Sequence, residues 1–336
     1  VIGDVILDRF FDCIVFRDNL ELPSNQIVDV CSMETRYGGS TNVANILGTF
    51  CPNRVDFYSL LTKNDSSLIN GVPKQFTLNA IIADFIEKQS IPVKDRFIEQ
   101  DTKRYIARID YDKCFSEFNG YPDYLYDELL TVMQQNMSRS YYNVLVIPDY
   151  AKGFISDYFI SRIKTDLTGC YDSVVVNCRP SVIRRYIEWC NHLTCNMKEF
   201  TKLCKMYSVN DSKIYDRMKY LSLILHLDSI IVTNGSRGLY GYSTHGHGFC
   251  VGVPHYVESL GQTVVGAGDV ILSSYAFMGG AYKFEFCSNS DEFLNVLKIL
   301  SYLGWLKVKT QSNMPSIDSI KRYGKLIDTI ECEVLR

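Results

Sequence analysis

Val144-Leu145-Val146-Ile147-Pro148-Asp149-Tyr150-Ala151-Lys152-Gly153 is the stretch from which the fold is read. A short apolar run ends in a carboxylate and a glycine-containing turn, and an amphipathic segment, Ile155–Lys164, follows at once. Strand, turn and helix in that order form the unit of a parallel sheet, because a parallel neighbour must be reached by a crossover. The pattern recurs on both sides. Ser173–Val176 and Ser229–Thr233 are clear strands, Val55–Leu61 is a fourth candidate, and Ile214–Leu227 is a second amphipathic stretch. The alternation predicts a doubly wound, mostly parallel α/β sheet flanked by helices, with ligands at the carboxyl ends of its strands.

Two segments break the alternation. Phe10–Glu34 and Arg96–Phe115 mix apolar with polar residues and carry no helical stripe. Within them Ile27–Val30 and Arg104–Asp110 read as half-exposed strands of period two. They predict a small sheet projecting from the main domain, either a lid over a ligand site or an insertion without a role. No repeat of solenoid or propeller length is visible.

Composition narrows the classes. The 336 residues suffice for one large α/β domain, 46% are hydrophobic, and no low-complexity tract is present. Thirty-five Lys plus Arg against 38 Asp plus Glu leave a formal charge of −3, which provides no footprint for nucleic acid or an anionic membrane. No apolar run reaches the roughly 18–20 residues of a spanning helix. The twelve cysteines form no C-x-x-C pair, and with no secretory leader ahead of the first strand they are expected as reduced thiols in a cytoplasmic protein. The chain opens at Val1 inside a strand without an initiator Met, which predicts that this strand begins upstream.

The stretch with most chemistry is Gly261-Gln262-Thr263-Val264-Val265-Gly266-Ala267-Gly268-Asp269, followed by the apolar run Val270–Ala276. Gly266 and Gly268 allow close backbone approach, and a helix starting here would aim its free N–H groups at an anion. Asp269 beside them can take a proton from an attacking hydroxyl in phosphoryl transfer, or can simply cap a glycine-rich turn. Near the start stand Gly3–Asp8, with Arg9 next, and then Gly38-Gly39-Ser40-Thr41-Asn42. Asp8 and Asn42 together offer a carboxylate and an amide to the vicinal hydroxyls of a polyol.

Gly3–Asp8, Gly38-Gly39 with Asn42, and Gly266-Ala267-Gly268-Asp269 together resemble the ribokinase-like, or PfkB, carbohydrate kinases. The resemblance runs along nearly the whole chain in the family's order. Within that family the chain is most similar to bacterial heptose-7-phosphate kinases. Gly3–Phe10 resembles their G-D-V-M-L-D-R-Y opening, Pro148–Gly153 their S-D-Y-x-K-G segment, and Thr102–Asp110 their T-K-x-R…R-x-D segment. Asn196-Met197-Lys198-Glu199-Phe200 resembles N-x-x-E-F, and Thr233-Asn234-Gly235-Ser236-Arg237-Gly238 the T-x-G-x-x-G turn of the nucleotide site.

The resemblance implies one ribokinase-like kinase domain over 1–336, with a discontinuous β lid from about 10–35 and 96–115 and a nucleotide-binding part at about 177–336. It implies Asp269 as base and the Gly266, Ala267 and Gly268 amides around the transferring phosphoryl. Asp8, Gly38, Gly39 and Asn42 would meet the sugar, and Arg9, Arg104, Arg108 and Lys152 its phosphate. ATP would lie against Asn196, Glu199, Thr233, Gly235 and Gly238, with Glu199 acting on Mg²⁺ through water. The implied product is a heptose 1,7-bisphosphate for surface-polysaccharide synthesis, made by a cytoplasmic homodimer joined through the lid. A kinase of another sugar or nucleoside, or a catalytically impaired ligand-binding homologue, is the alternative.

The departures are local. Thr263 and Val265 stand where the family has Asp and Thr, which bears on monovalent-ion activation. Val176–Pro180 replaces a D-P-K/R segment, and Leu61–Asp65 keeps only part of a glycine and acidic pattern. Thr244-His245-Gly246-His247-Gly248 looks like the H-x-G-H of nucleotidylyltransferases but lacks the strand-and-loop context; a turn is expected there, rather than metal binding by His245, His247 and His255.

Overall fold

The computed structural model describes residues 1–18, 26–50, 55–84, 91–111, 121–139, 142–254, 265–310 and 324–335. The first half runs β1 (Val5–Asp18), β2 (Gln26–Gly38), α1 (Gly39–Phe50), β3 (Asp56–Thr62), α2 (Lys63–Ile69), β4 (Thr77–Ala83), β5 (Val93–Glu99), β6 (Tyr105–Tyr111) and α3 (Asp123–Arg139). Then come β7 (Tyr142–Asp149), α4 (Asp157–Asp166), β8 (Tyr171–Cys178), β9 (His192–Asn196), α5 (Met197–Met206), α6 (Ile214–Leu225) and β10 (Ser229–Thr233). Last are β11 (Leu239–Ser243), β12 (His247–Val251), α7 (Ala267–Tyr282), α8 (Ser290–Thr310) and β13 (Cys332–Val334).

The main sheet has seven strands in the order β13-β12-β11-β10-β9-β8-β7. β7 to β10 are parallel, as the alternation predicts, whereas β11, β12 and β13 pair antiparallel. Three residues, Thr244-His245-Gly246, join β11 to β12, too short a link for a parallel crossover. This hairpin turn holds His245, and His247 opens β12; His255 lies outside the described residues.

At its other edge the sheet is continued by residues 1–3. Ile2 N–H bonds to the Val146 carbonyl at 3.0 Å, and Tyr58 N–H bonds to the Val1 carbonyl at 2.9 Å. Thus β3, with its parallel partner β4, lies beyond β7.

Both faces are covered. Val174, Val176, Leu193 and Ile230 pack with Phe159, Ile163, Phe200 and Met218 of α4, α5 and α6. Val175 and Ile231 turn the other way, to Val43, Ile271 and Leu297 of α1, α7 and α8. Alternate residues of one strand therefore enter two cores, which is why these strands read as unbroken apolar runs. Each such side chain contributes about 1.5–3 kcal/mol of burial.

β1 leaves this layer and continues into a separate four-stranded sheet of order β2-β1-β5-β6. The expected projecting strands are therefore portions of β2 and β6, on either side of a β1 that runs on past Asp8. The ten described cysteines are all free thiols, and no described helix is long and apolar enough to cross a membrane.

Candidate active site

The site is organised by the start of α7. Gly266 caps this helix in the left-handed region (φ 79°), where a side chain would be strained. The first intrahelical bond is Val270 N–H to the Gly266 carbonyl at 3.0 Å. The N–H groups of Ala267, Gly268 and Asp269 precede it and are left for an anion. At Gly268 a Cβ would meet nothing within 4 Å, so the fold itself sets no steric demand for glycine there.

Asp269 is held from two distant parts of the chain. The Tyr150 hydroxyl donates to its Oδ1 at 2.6 Å and the Asn42 amide to its Oδ2 at 2.7 Å. Burial raises the Asp269 carboxyl above the usual range; the Tyr150 and Asn42 hydrogen bonds pull it back, Asp8 pushes it up and Lys94 draws it down. Asn42, expected as a sugar ligand, thus bonds the expected base. Removing the phenolic donor should cost most where Asp269 is being protonated. Tyr150→Phe is expected to lose roughly tenfold in turnover at pH 6, and less at pH 8, the size of a hydrogen bond to a charged group. A pH–rate profile with an unmoved acid limb would count against Tyr150 acting on Asp269.

The turn carrying Tyr150 hangs on two buried carboxylates. Asp149 Oδ1 accepts from Ala151 N–H at 2.8 Å, and Asp4 accepts from Lys152 N–H at 3.3 Å and Phe154 N–H at 3.1 Å. Ala151 is consequently held at φ 55°. Asp149 is further bonded by the Tyr186 hydroxyl at 2.6 Å. Burial, then the neighbouring Asp149, pushes Asp4 up to about 7.

A carboxyl raised in the fold is protonated there while the unfolded chain ionises near pH 4, so stability is lost as pH rises from about 4 to about 7. Asp4→Asn keeps an acceptor for Phe154 and has no proton to lose. Its melting temperature is expected to fall less than the parent's between pH 5 and pH 8; parallel unfolding curves would contradict this.

A cavity of about 180 Å³ opens from Asp269 and Gly268 past Asn177, Asn196, Glu199 and Thr233. It joins two regions that are far apart in sequence. Glu199 closes a capping box on α5, its Oε2 accepting from Asn196 N–H at 3.1 Å, and its Oε1 meets Arg179 at 3.1 Å. Gly235 and Gly238 are not among the lining residues. Gly238 has a packing reason instead, since a Cβ there would stand 2.0 Å from the Val251 carbonyl.

Solved structures share this architecture. Phosphofructokinase-2 from Escherichia coli in complex with fructose-6-phosphate matches with a TM-score of 0.69 at 10% identity, over 97% of this chain and 98% of its own. Ribokinase from Thermotoga maritima matches with a TM-score of 0.63 at 16% identity, over 97% and 99%. In sequence, the bifunctional protein HldE of Geobacter sulfurreducens is 27% identical over 286 residues, which is 83% of this chain and 55% of that protein. The chain has the α/β fold of the ribokinase-like, or PfkB, carbohydrate kinases. It spans about half the length of the HldE relatives it matches. No protein-family model matches it.

In this ribokinase-like fold the four-stranded sheet presents one charged face. Strand partners share a face, and the register pairs Asp8 with Arg36 and Lys94, Phe10 with Arg96, and Arg96 with Arg108. Arg96 donates to Asp8 Oδ1 at 2.9 and 3.2 Å, a buried ion pair. Such a pair is costly to break from one side, because the remaining charge stays buried.

Gly38 is required beside it, since a Cβ there would lie 2.3 Å from Asp8 Oδ2. Gly39 starts α1 against Ile6. Arg9, expected with Asp8, is its strand neighbour and so points to the opposite face, where it grips Asp95 at 2.6 and 2.7 Å. The structure does not bring it to the Asp8 side. Arg108 stays on the Asp8 face and pairs with Asp110, while Arg104 lies exposed near Glu99 at 3.5 Å. Lys152 lies on the turn below Asp4.

Sequence reasoning passed over Tyr150, Lys94, Arg96 and Arg36. Tyr150 sat inside a quoted motif, and the three cations follow the period of their strands. Thr263 lies outside the described residues; Val265 enters the turn before Gly266. No group of three or more His, Cys, Asp or Glu able to hold a metal occurs among the described residues.

Proposed function

We propose that the protein is an ATP-dependent sugar kinase that phosphorylates the anomeric hydroxyl of a heptose 7-phosphate. Asp269 carries this reading: a half-buried carboxylate on the first turn of α7, oriented by Tyr150 and Asn42, at one end of a cavity that reaches Asn196, Glu199 and Thr233. The acceptor class is supported by the heptose-kinase-like segments Gly3–Phe10, Thr102–Asp110 and Pro148–Gly153. The match to bifunctional HldE over 83% of the chain supports it further.

Asp269 takes the proton of the acceptor hydroxyl as that oxygen forms a bond to the γ-phosphorus. The bond from phosphorus to the bridging oxygen breaks, and its electron pair leaves with ADP. The N–H groups of Ala267 and Gly268 receive the charge of the transferring phosphoryl, with open space at Gly268 for close approach.

Glu199 would hold Mg²⁺ through water, and the ion supplies neutralising charge for the triphosphate. Asp8 binds sugar hydroxyls, and cations of the Asp8 face, with Lys152, hold the acceptor phosphate. The four-stranded sheet acts as a lid that excludes water as a competing nucleophile, and two copies join through it in the cytoplasm.

The test is ATP consumption against a panel of sugar phosphates and nucleosides. Turnover dependent on a heptose 7-phosphate is the expected result. Turnover with a different sugar alone would move the acceptor assignment, and ATP binding without acceptor-dependent turnover would leave a ligand-binding homologue.

A further inference from the structure

The two oxygens of the Asp8 carboxylate have different surroundings. Oδ1 accepts twice from Arg96, from Nη2 at 2.9 Å and from Nε at 3.2 Å. Oδ2 receives no hydrogen bond among the described residues, although the side chain is only 10% exposed. A buried acceptor left open is costly, and a ligand hydroxyl would fill it.

Oδ2 lies against the backbone that opens α1, 2.3 Å from where a Cβ on Gly38 would stand. From the first turn of that helix Asn42 reaches Asp269, and Asp8 is near enough to push the Asp269 carboxyl up. The open oxygen therefore borders the space beside the candidate base.

Arg96 has all three of its nitrogens committed. On β5 it stands two residues beyond Lys94, the register partner of Asp8, so a long side chain reaches the carboxylate diagonally. Its Nη1 donates to the Tyr105 hydroxyl of β6 at 3.0 Å, and its guanidinium lies 5.8 Å from the centroid of the Phe10 ring on β1. Neighbouring strands on both sides thus fix the guanidinium, and the guanidinium fixes the carboxylate.

We propose that Arg96 is a positioning residue of the acceptor site: by holding Oδ1 from two nitrogens it turns Oδ2 of Asp8 toward a hydroxyl of the sugar. The proposal rests on the kinase reading and deepens it. Among the cations of the Asp8 face, Arg96 serves Asp8, and the acceptor phosphate falls to the others.

The experiment is steady-state kinetics of the full chain with ATP and a heptose 7-phosphate, with thermal unfolding alongside. The variants are Arg96→Met, Arg96→Lys, Asp8→Asn and the double variant Asp8→Asn/Arg96→Met. Arg96→Met is expected to raise the acceptor KM roughly ten- to a hundredfold, as for a lost hydrogen bond to a charged group, with the ATP KM within about threefold of the parent. Arg96→Lys keeps the charge but loses the planar two-point grip, and should raise the acceptor KM by roughly three- to tenfold.

The double variant should bind the acceptor no more weakly than Asp8→Asn alone, because Arg96 then has no carboxylate to orient. It leaves no unpaired buried charge, so this comparison stands even where Arg96→Met fails to fold. Losses that multiply in the double variant would show Arg96 meeting the acceptor itself and would overturn the proposal. An ATP KM rising in step with the acceptor KM, or an acceptor KM unmoved by both Arg96 substitutions, would overturn it too. A parent that does not turn over the heptose 7-phosphate would overturn the acceptor assignment, and the proposal with it.

Discussion

Asp269→Asn is expected to reduce acceptor-dependent ATP consumption by roughly a hundred- to ten-thousandfold, the range that a positioned general base contributes. The substitution is close to isosteric. An Asn side-chain oxygen can still accept from Tyr150 or Asn42, which now donate at 2.6 and 2.7 Å to the two carboxylate oxygens. It also removes a carboxyl that burial already disfavours in its charged form, so the melting temperature should not fall at neutral pH. Loss of turnover with unchanged unfolding and unchanged nucleotide binding is the expected combination. Turnover kept within threefold of the parent would remove Asp269 from the role of base.

Gly268→Ala separates the chemistry of the turn from its folding. A Cβ at 268 meets nothing within 4 Å, and the residue lies in the first turn of α7 with ordinary helical backbone. Alanine is the better helix former, so stability should be unchanged or raised by up to about 1 kcal/mol. Activity should behave oppositely. If the phosphoryl group approaches the 268 backbone closely, the added methyl occupies its place, and turnover falls roughly a hundredfold or more, as when an anion-hole donor is lost. Chemical denaturation beside steady-state kinetics reads both quantities. An Ala variant that is as active as the parent would show that the group being transferred lies elsewhere.

Local physics explains which parts were legible in the chain itself. The strands Ser173–Val176 and Ser229–Thr233 were readable because burial on both faces leaves no polar alternation to confuse them. The start of α7 was readable because a glycine, a small residue and an acid before an apolar run describe a helix N-terminus in sequence terms alone. Asn196-x-x-Glu199 was noticed as a nucleotide motif. The structure shows that the same spacing also closes a capping box on α5, so one pattern answers to a helix start and to a site.

Arg9 shows where motif reading ran out. It follows Asp8 directly in a motif, yet adjacent residues of a strand face opposite ways, and the continuation of β1 past Asp8 decides the matter. The pairing of β12 with β13 at the edge of the main sheet was likewise missed, because it joins distant segments and leaves no local trace.

The sequence by itself determined the α/β class, the order of the motifs and the identity of Asp269 as the residue to watch, since all three depend on neighbours within a few positions. Only the tertiary structure decided what surrounds that residue. Tyr150 and Asn42 reach Asp269 across 119 and 227 residues, Lys307 packs behind Gly266 from another helix, and Arg96 neutralises Asp8 from a different strand. Side chains at such separations meet only when sheets and helices have closed around them. The electrostatics of the site is therefore a property of the packing, written nowhere in the local pattern.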